Sequence, residues 1–271
     1  MVRGALVALA VAALVAGCGG ASAAPPTTTI KQLRQFRILF PEGFTRAQMA
    51  GNVNDVAKIA ERKSHHPVRL SETAYLSATR PQAMPGFGPN KLHTEGFLFP
   101  DTYFFDRKST SAYLVHEQLS VFQQMWKRVD MSYAQSKNLT PYDVLKIASM
   151  VQAESGVPSD NKLIAAVIYN RLHQGMSLGV DATLRYGLHL APGVPLTQSE
   201  LQSDNPYNTR KFLGLPPTPI NNPGTAAMQA AAHPAHVDYL YYLKIPNSKR
   251  SYFTASSQDF YNHEVQYGYA P

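Results

Sequence analysis

The chain has 271 residues, enough to bury a sizeable core in one large domain or two modest ones. Its 44% hydrophobic content excludes a disordered polymer, and its single cysteine excludes an internal disulfide or a multi-thiol metal site. The net charge of +7 suits polyanionic surroundings such as lipid headgroups or a cell-wall polymer, with scattered solvated charge as the plainer reading. No long basic run, helix-turn-helix pattern or ribonucleoprotein motif supports nucleic acid as a partner.

The N-terminal "MVRGALVALAVAALVAGC" carries one basic residue, Arg3, before an apolar run too short to span a bilayer comfortably. Its end, "VAGC", resembles the lipobox of bacterial lipoproteins, which makes Cys18 the expected lipidation site and residues 1–18 a lipoprotein-type signal peptide. An ordinary cleaved signal and an uncleaved anchor are the alternatives, and all three export the chain. Residues 19–29 are small or proline and form a flexible tether.

Residues 30–92 form a first region. A strand-like stretch with Phe36, Ile38 and Phe40 meets a Pro-Glu-Gly turn, then a Thr-capped helix carrying Met49, Val56 and Ile59 on its apolar side. "RPQAMPGFGPN" reads as a link to the second region, residues 93–271, which opens with the aromatic "EGFLFPDTYFF".

In the second region Thr140 caps a helix with Pro141 in its first turn, and Gly156 is a stop signal. Val144, Ile147, Ala148 and Val151 mark the core face, and Glu154 falls on the same stripe. A carboxyl placed there is disfavoured as an anion by apolar neighbours and by the negative end of the helix dipole. A salt-bridged helix-end glutamate is the plain alternative. A second helix follows with Leu163, Ala166 and Val167 on its apolar face and a stop at Gly175. Asn170 shares that face, where it either ties down a loop or borders a polar cleft. "HPAH" has only an i, i+3 histidine pair without completing ligands, so it reads as structural and no metal is expected. "DYLYYLKI" alternates as a strand does.

Five strings in order, "EGFLFPDTY", "ASMVQAESG", "VIYNRLHQGMSLGVDATLRYG", "NPYNTRKFLGLPPTPINNPG" and "AAAHPAHVDYLYYL", resemble the endolytic murein transglycosylases of the MltG (YceG-like) type. The resemblance covers nearly everything after the tether. It implies an α+β fold, with a LysM-like subdomain at 30–92 packed beside a mixed α+β catalytic domain at 93–271 and a cleft between them. It implies cleavage of the MurNAc–GlcNAc bond inside nascent glycan strands to give 1,6-anhydroMurNAc ends, terminating polymerisation. The place of action is the outer face of the cytoplasmic membrane, lipid-anchored here. Peptidoglycan strands are the partner, peptidoglycan synthases a further one, and no cofactor is implied.

Residue by residue, the resemblance makes Glu154 the catalytic acid and places Glu95, Asp101, Tyr103, Asn170, Asp181, Thr183 and Tyr186 near the cleft. Tyr207, Asn208 and Thr209 are further substrate-binding candidates from "NPYNT", and each polar residue here has a loop-fixing alternative. Two departures stand out. The usual Glu-Lys-Glu of the catalytic helix is Gln152-Ala153-Glu154, and a lipoprotein-type signal replaces the transmembrane helix of many relatives. Two rival readings remain: a water-using muramidase pairing Glu154 with Asp181 or Asp160, and a non-catalytic wall-binding lipoprotein.

Overall fold

The computed structural model describes residues 35–269; the expected signal peptide with Cys18 and the expected tether lie outside the described residues. In chain order the elements are β1 (Phe36–Leu39), α1 (Arg46–Ser64), α2 (Glu72–Ala78), β2 (Gln82–Ala83), β3 (Lys91–Leu92), β4 (Thr102–Phe105), α3 (Ser111–Trp126), α4 (Ser132–Ser136) and α5 (Pro141–Glu154). A 3-10 turn (Pro158–Asp160) then precedes α6 (Asn161–His173), α7 (Asp181–Gly187), α8 (Gln198–Leu201), α9 (Thr225–Ala232), β5 (Tyr241–Lys244), β6 (Ser251–Thr254) and α10 (Ser257–Tyr267). The strands pair as three separate antiparallel ribbons, β1 with β4, β2 with β3 and β5 with β6, so the fold is mixed α+β.

The smaller of two cores lies under the β1–β4 ribbon. Thr45 opens α1 with a capping box completed by Gln48, and the helix buries Met49, Ala50, Val53, Ala57 and Ala60. Ile59, expected on that face, is 42% exposed because the buried stripe runs one residue out of phase with it. Ile38 and Phe40 complete this core from β1, and Tyr103, Phe105, Leu114 and Val115 enter it from beyond residue 92. Strand pairing explains the reach: Ile38 stands opposite Tyr103 and Phe36 opposite Phe105.

The larger core is helical. Thr140 and Pro141 start α5 as the sequence predicts, Asp143 completes a capping box, and Val144, Ile147, Ala148 and Val151 are fully buried along it. This helix packs on α9 and α6. The expected α6 stripe needs correction, since Leu163 is half-buried while every residue from Ile164 to Tyr169 is buried. A helix with neighbours on several sides loses the one-faced pattern from which such stripes are read. The segment read as a link is also packed: Phe87 sits edge-on to Phe97 with ring centroids 4.8 Å apart, between the β2 and β3 strands.

Candidate active site

Glu154 is the last residue of α5, half-buried. Ser155 then turns extended with ψ 128°, so Gly156 is not the left-handed stop the sequence suggests. Its requirement is steric: a Cβ on Gly156 would lie 3.0 Å from the Lys249 carbonyl carbon and closer still to its oxygen. The β5–β6 hairpin loop therefore rests directly on the end of α5. Asp160 fastens the same hairpin, accepting the Ser251 N–H at 2.7 Å while only 1% exposed.

That docking aims alternate residues of β5 at the acid. The Tyr242 hydroxyl makes a hydrogen-bonding contact with the Glu154 carboxyl, and Lys244, two positions on, acts on it electrostatically. From the other side α7 supplies Asp181 and Arg185. Burial is the largest influence on the carboxyl and raises its pKa. Lys244 opposes this, Asp181 adds to it, and Tyr242 and Arg185 favour the anion. The outcome is a raised pKa, a carboxyl that keeps its proton above the usual range.

Helix α6 holds the segments that lead into both β5 and α7. Asn170 donates its amide to the Val237 and Tyr239 carbonyls at 2.8 and 2.9 Å, just before β5. Arg171 donates to Leu240 O at 2.6 Å and to Leu178 O at 2.7 Å, bridging β5 to the loop that leads into α7. Of the two readings open for Asn170, its amide follows loop-tying. The start of α7 is pinned by a buried hydroxyl pair, Thr183 and Thr209, 3.0 Å apart, with Thr209 Oγ1 also accepting the Val180 N–H. Asn208 is fully buried and donates to Leu201 O and Ser203 O. Both side chains are committed to loop geometry, and neither makes a contact with Glu154.

Asp181 lies between two guanidinium groups. Arg210 reaches its Oδ1 at 2.6 Å and Arg185 its Oδ2 at 3.6 Å. Such half-exposed pairs contribute little stability, about 0–1 kcal/mol, so their consequence is where they hold the cations.

A second polar cluster surrounds Glu95, which is 4% exposed. It accepts the Arg46 N–H at 2.9 Å, the Asn222 amide at 2.8 Å and the Tyr186 hydroxyl at 3.1 Å. Burial outweighs these donors and pushes its pKa to about 7. Asn222 in turn accepts from the Gly96 and Leu98 N–H groups. The cluster ties the start of α1 to α7, because Tyr186 belongs to the helix that carries Asp181 and Arg185. Tyr207 stands edge-on to Tyr186, and its hydroxyl hydrogen-bonds with that of Thr218 at 2.7 Å.

The structure thus brings Asp181 to Glu154, connects Tyr186 and Glu95 to them through α7, and leaves Asp101 and Tyr103 elsewhere. Tyr103 is buried in the smaller core with its hydroxyl on Phe99 O, and the Asp101 carboxylate accepts its neighbour's N–H. The groups acting on Glu154 come from β5 and α7, whereas the first region meets α5 at Gln152 through Gly43. Gln152 accepts the Gly224 N–H at 3.0 Å at the N-terminus of α9. Arg171, Arg185, Arg210, Tyr242 and Lys244 were not singled out from sequence, though the first four lie inside the five strings and Lys244 directly follows the last. Among the described residues no group of His, Cys, Asp and Glu is arranged to hold a metal ion, and no helix is long and apolar enough to cross a membrane.

Comparison with known proteins gives a consistent family. An endolytic murein transglycosylase from Bacillus subtilis is 30% identical over 222 residues, covering 79% of this chain and 60% of that protein. One from Streptococcus pneumoniae is 29% identical over 238 residues, covering 82% of this chain and 43% of that protein. The chain therefore spans about half the length of these relatives. A crystal structure of a yceG-like protein from Listeria monocytogenes superposes with a TM-score of 0.72 at 26% identity, over 84% of this chain and 75% of that one. The sequence model of the YceG-like family matches residues 18–266, and the chain belongs to that family.

Proposed function

We propose that this protein is a lytic transglycosylase that cleaves the MurNAc–GlcNAc bond within peptidoglycan glycan strands and leaves 1,6-anhydroMurNAc ends. The observation that carries the reading is Glu154, a half-buried carboxyl with a raised pKa between a tyrosine and two cations. Cleavage needs a group that is protonated near neutral pH and can then serve as a base. Glu154 gives its proton to the glycosidic oxygen, the bond to the anomeric carbon breaks, and GlcNAc leaves as the alcohol. The resulting carboxylate takes the proton of the muramyl C6 hydroxyl while that oxygen bonds to the anomeric carbon. Water is not consumed, and one carboxyl serves both steps.

Finer parts of the reading rest on less. The β1–α1–α2–β4 arrangement, two helices against one antiparallel strand pair, supports a LysM-like unit that holds glycan beside the acid. Export with a lipid on Cys18, attachment to the extracytoplasmic face of the cell membrane, work beside peptidoglycan synthases and termination of strand growth complete the proposal. Glu154, with the further candidates above, is its proposed site.

A second reading has one observation in its favour: Asp181 lies within electrostatic reach of Glu154 and has the place of a water-activating partner in a hydrolase. Its arginine partners argue against it, since both carboxylate oxygens are already engaged, Oδ1 by Arg210 at 2.6 Å and Oδ2 by Arg185 at 3.6 Å. Mass spectrometry of the products from purified strands decides between them. Anhydro ends support the transglycosylase, reducing ends the hydrolase, and no release of fragments a binding protein.

A further inference from the structure

The charges around Glu154 do not suit bond cleavage alone. Lys244 and Arg185 both act on the carboxyl and favour its ionised form, against its service as a proton donor. The transition state of glycoside cleavage also gathers positive charge at the anomeric carbon, which neighbouring cations oppose. Arg210 joins them through Asp181, with both its Nε and Nη2 on Oδ1 at 2.8 and 2.6 Å. Lys244 is exposed and forms no ion pair with any described residue, and the Arg210 side chain is 48% exposed. When Glu154 holds its proton, the three cations around Glu154 and Asp181 are matched by one carboxylate, that of Asp181. The geometry is fixed, too. Arg185 is braced by its Nε on Val194 O at 2.7 Å, and Lys244 stands on a strand held by Asn170 and Arg171.

We propose that Lys244, Arg185 and Arg210 form a carboxylate-recognition subsite for the lactyl side arm of the muramyl residue at the scissile bond. The inference rests on the glycan-strand reading above. Within a glycan strand the sugars themselves are neutral, and the lactyl arm is where negative charge enters. A bound carboxylate satisfies Lys244, leaves Asp181 as the internal brace of the two arginines, and offsets the cations that oppose the reaction. The shared chemistry has two sources: the free lactyl acid of a strand stripped of peptides, or the acidic stem peptide attached to it.

The test is direct binding, which does not depend on turnover. Glu154→Gln is titrated by calorimetry with a GlcNAc–MurNAc tetrasaccharide in three forms: lactyl free acid, lactyl amide, and lactyl-L-Ala-D-Glu. One or both acidic forms are expected to bind roughly tenfold or more tightly than the amide, as a charge-assisted contact implies, with a preference that weakens in salt. Whichever form gains identifies the source. Lys244→Met in the same background, its fold verified by thermal melting, is expected to abolish the preference. Equal binding of all three forms, absence of binding, or a preference that survives Lys244→Met overturns the subsite. The function reading is tested separately by wild-type cleavage of amidated strands. Failure to form anhydro ends there sinks the transglycosylase and leaves the binding result standing on its own.

Discussion

The Tyr242 hydroxyl of β5 meets the Glu154 carboxyl at the end of α5, and each perturbs the other. The phenol is driven well above its ordinary pKa by burial, with the adjacent carboxylate adding to this, while its hydrogen-bonding contact pulls the carboxyl back toward ionisation. Tyr242→Phe removes that stabilisation of the anion. Glu154 should then hold its proton to higher pH, moving the alkaline limb of kcat/KM upward. Cleavage near neutral pH should fall by up to about tenfold, the value of one hydrogen bond. Paired pH–rate profiles of wild type and variant test this, and an unmoved alkaline limb rules out the assigned contact.

The roles of the two acids separate by substitution. Glu154→Gln retains size and hydrogen-bonding shape but has no proton to give, so strand cleavage should fall roughly 100- to 10,000-fold with the melting temperature nearly unchanged. Asp181→Asn loosens Arg185 and Arg210 without removing the acid, so a smaller loss of about tenfold is expected. Release of muropeptides from purified strands gives both numbers. An Asp181→Asn enzyme as inactive as Glu154→Gln, with reducing-end products from wild type, transfers the reading to the two-carboxylate hydrolase.

Local chemistry made α5 legible before any coordinates: Thr140 and Pro141 announce its start, and four buried aliphatics place Glu154. What surrounds the acid was not legible, because Arg185, Arg210 and Lys244 read as ordinary surface charges, and periodicity carries no information about pairing between distant segments. The same limit applies to Glu95, whose partner Asn222 is 127 positions away. Composition misled at residues 80–90. Their prolines and glycines suggest a linker, yet Met84 and Phe87 are buried in the larger core. Lipidation of Cys18 lies outside the described residues, and the mass of the mature N-terminus is its direct test.

Gly156 gives a prediction that local sequence rules do not. Alanine suits a helix C-terminus well enough, but here its Cβ would collide with the Lys249 backbone, which has no flexible end to move aside. Gly156→Ala should therefore lift the β5–β6 hairpin from α5 and destabilise the fold by about 1–3 kcal/mol. Tyr242 and Lys244 ride on that hairpin, so cleavage should fall more than the loss of folded protein accounts for. Chemical denaturation with activity per folded molecule measures both. A variant of wild-type stability places the hairpin elsewhere.

Glu95 makes stability depend on pH. Its carboxyl is buried among donors from three segments, and burial carries its pKa from an ordinary 4.5 to about 7 despite them. In the unfolded chain the group ionises near the ordinary value; in the folded chain the proton stays until about pH 7. Its relative contribution to stability is therefore fully present below the unfolded pKa and is lost as pH rises through the folded one. At 1.36 kcal/mol per unit, the loss is on the order of 3 kcal/mol. Glu95→Gln cannot ionise, while its carbonyl accepts from Arg46 and Asn222 and its amide turns to the Tyr186 oxygen. Between about pH 4.5 and 7.5 the variant's stability should stay flatter than that of wild type, and at the upper end it should equal or exceed it. Urea denaturation of both proteins across that range is the measurement. Parallel curves place the proton elsewhere, and a variant that melts early at every pH shows that the network needs both carboxylate oxygens as acceptors.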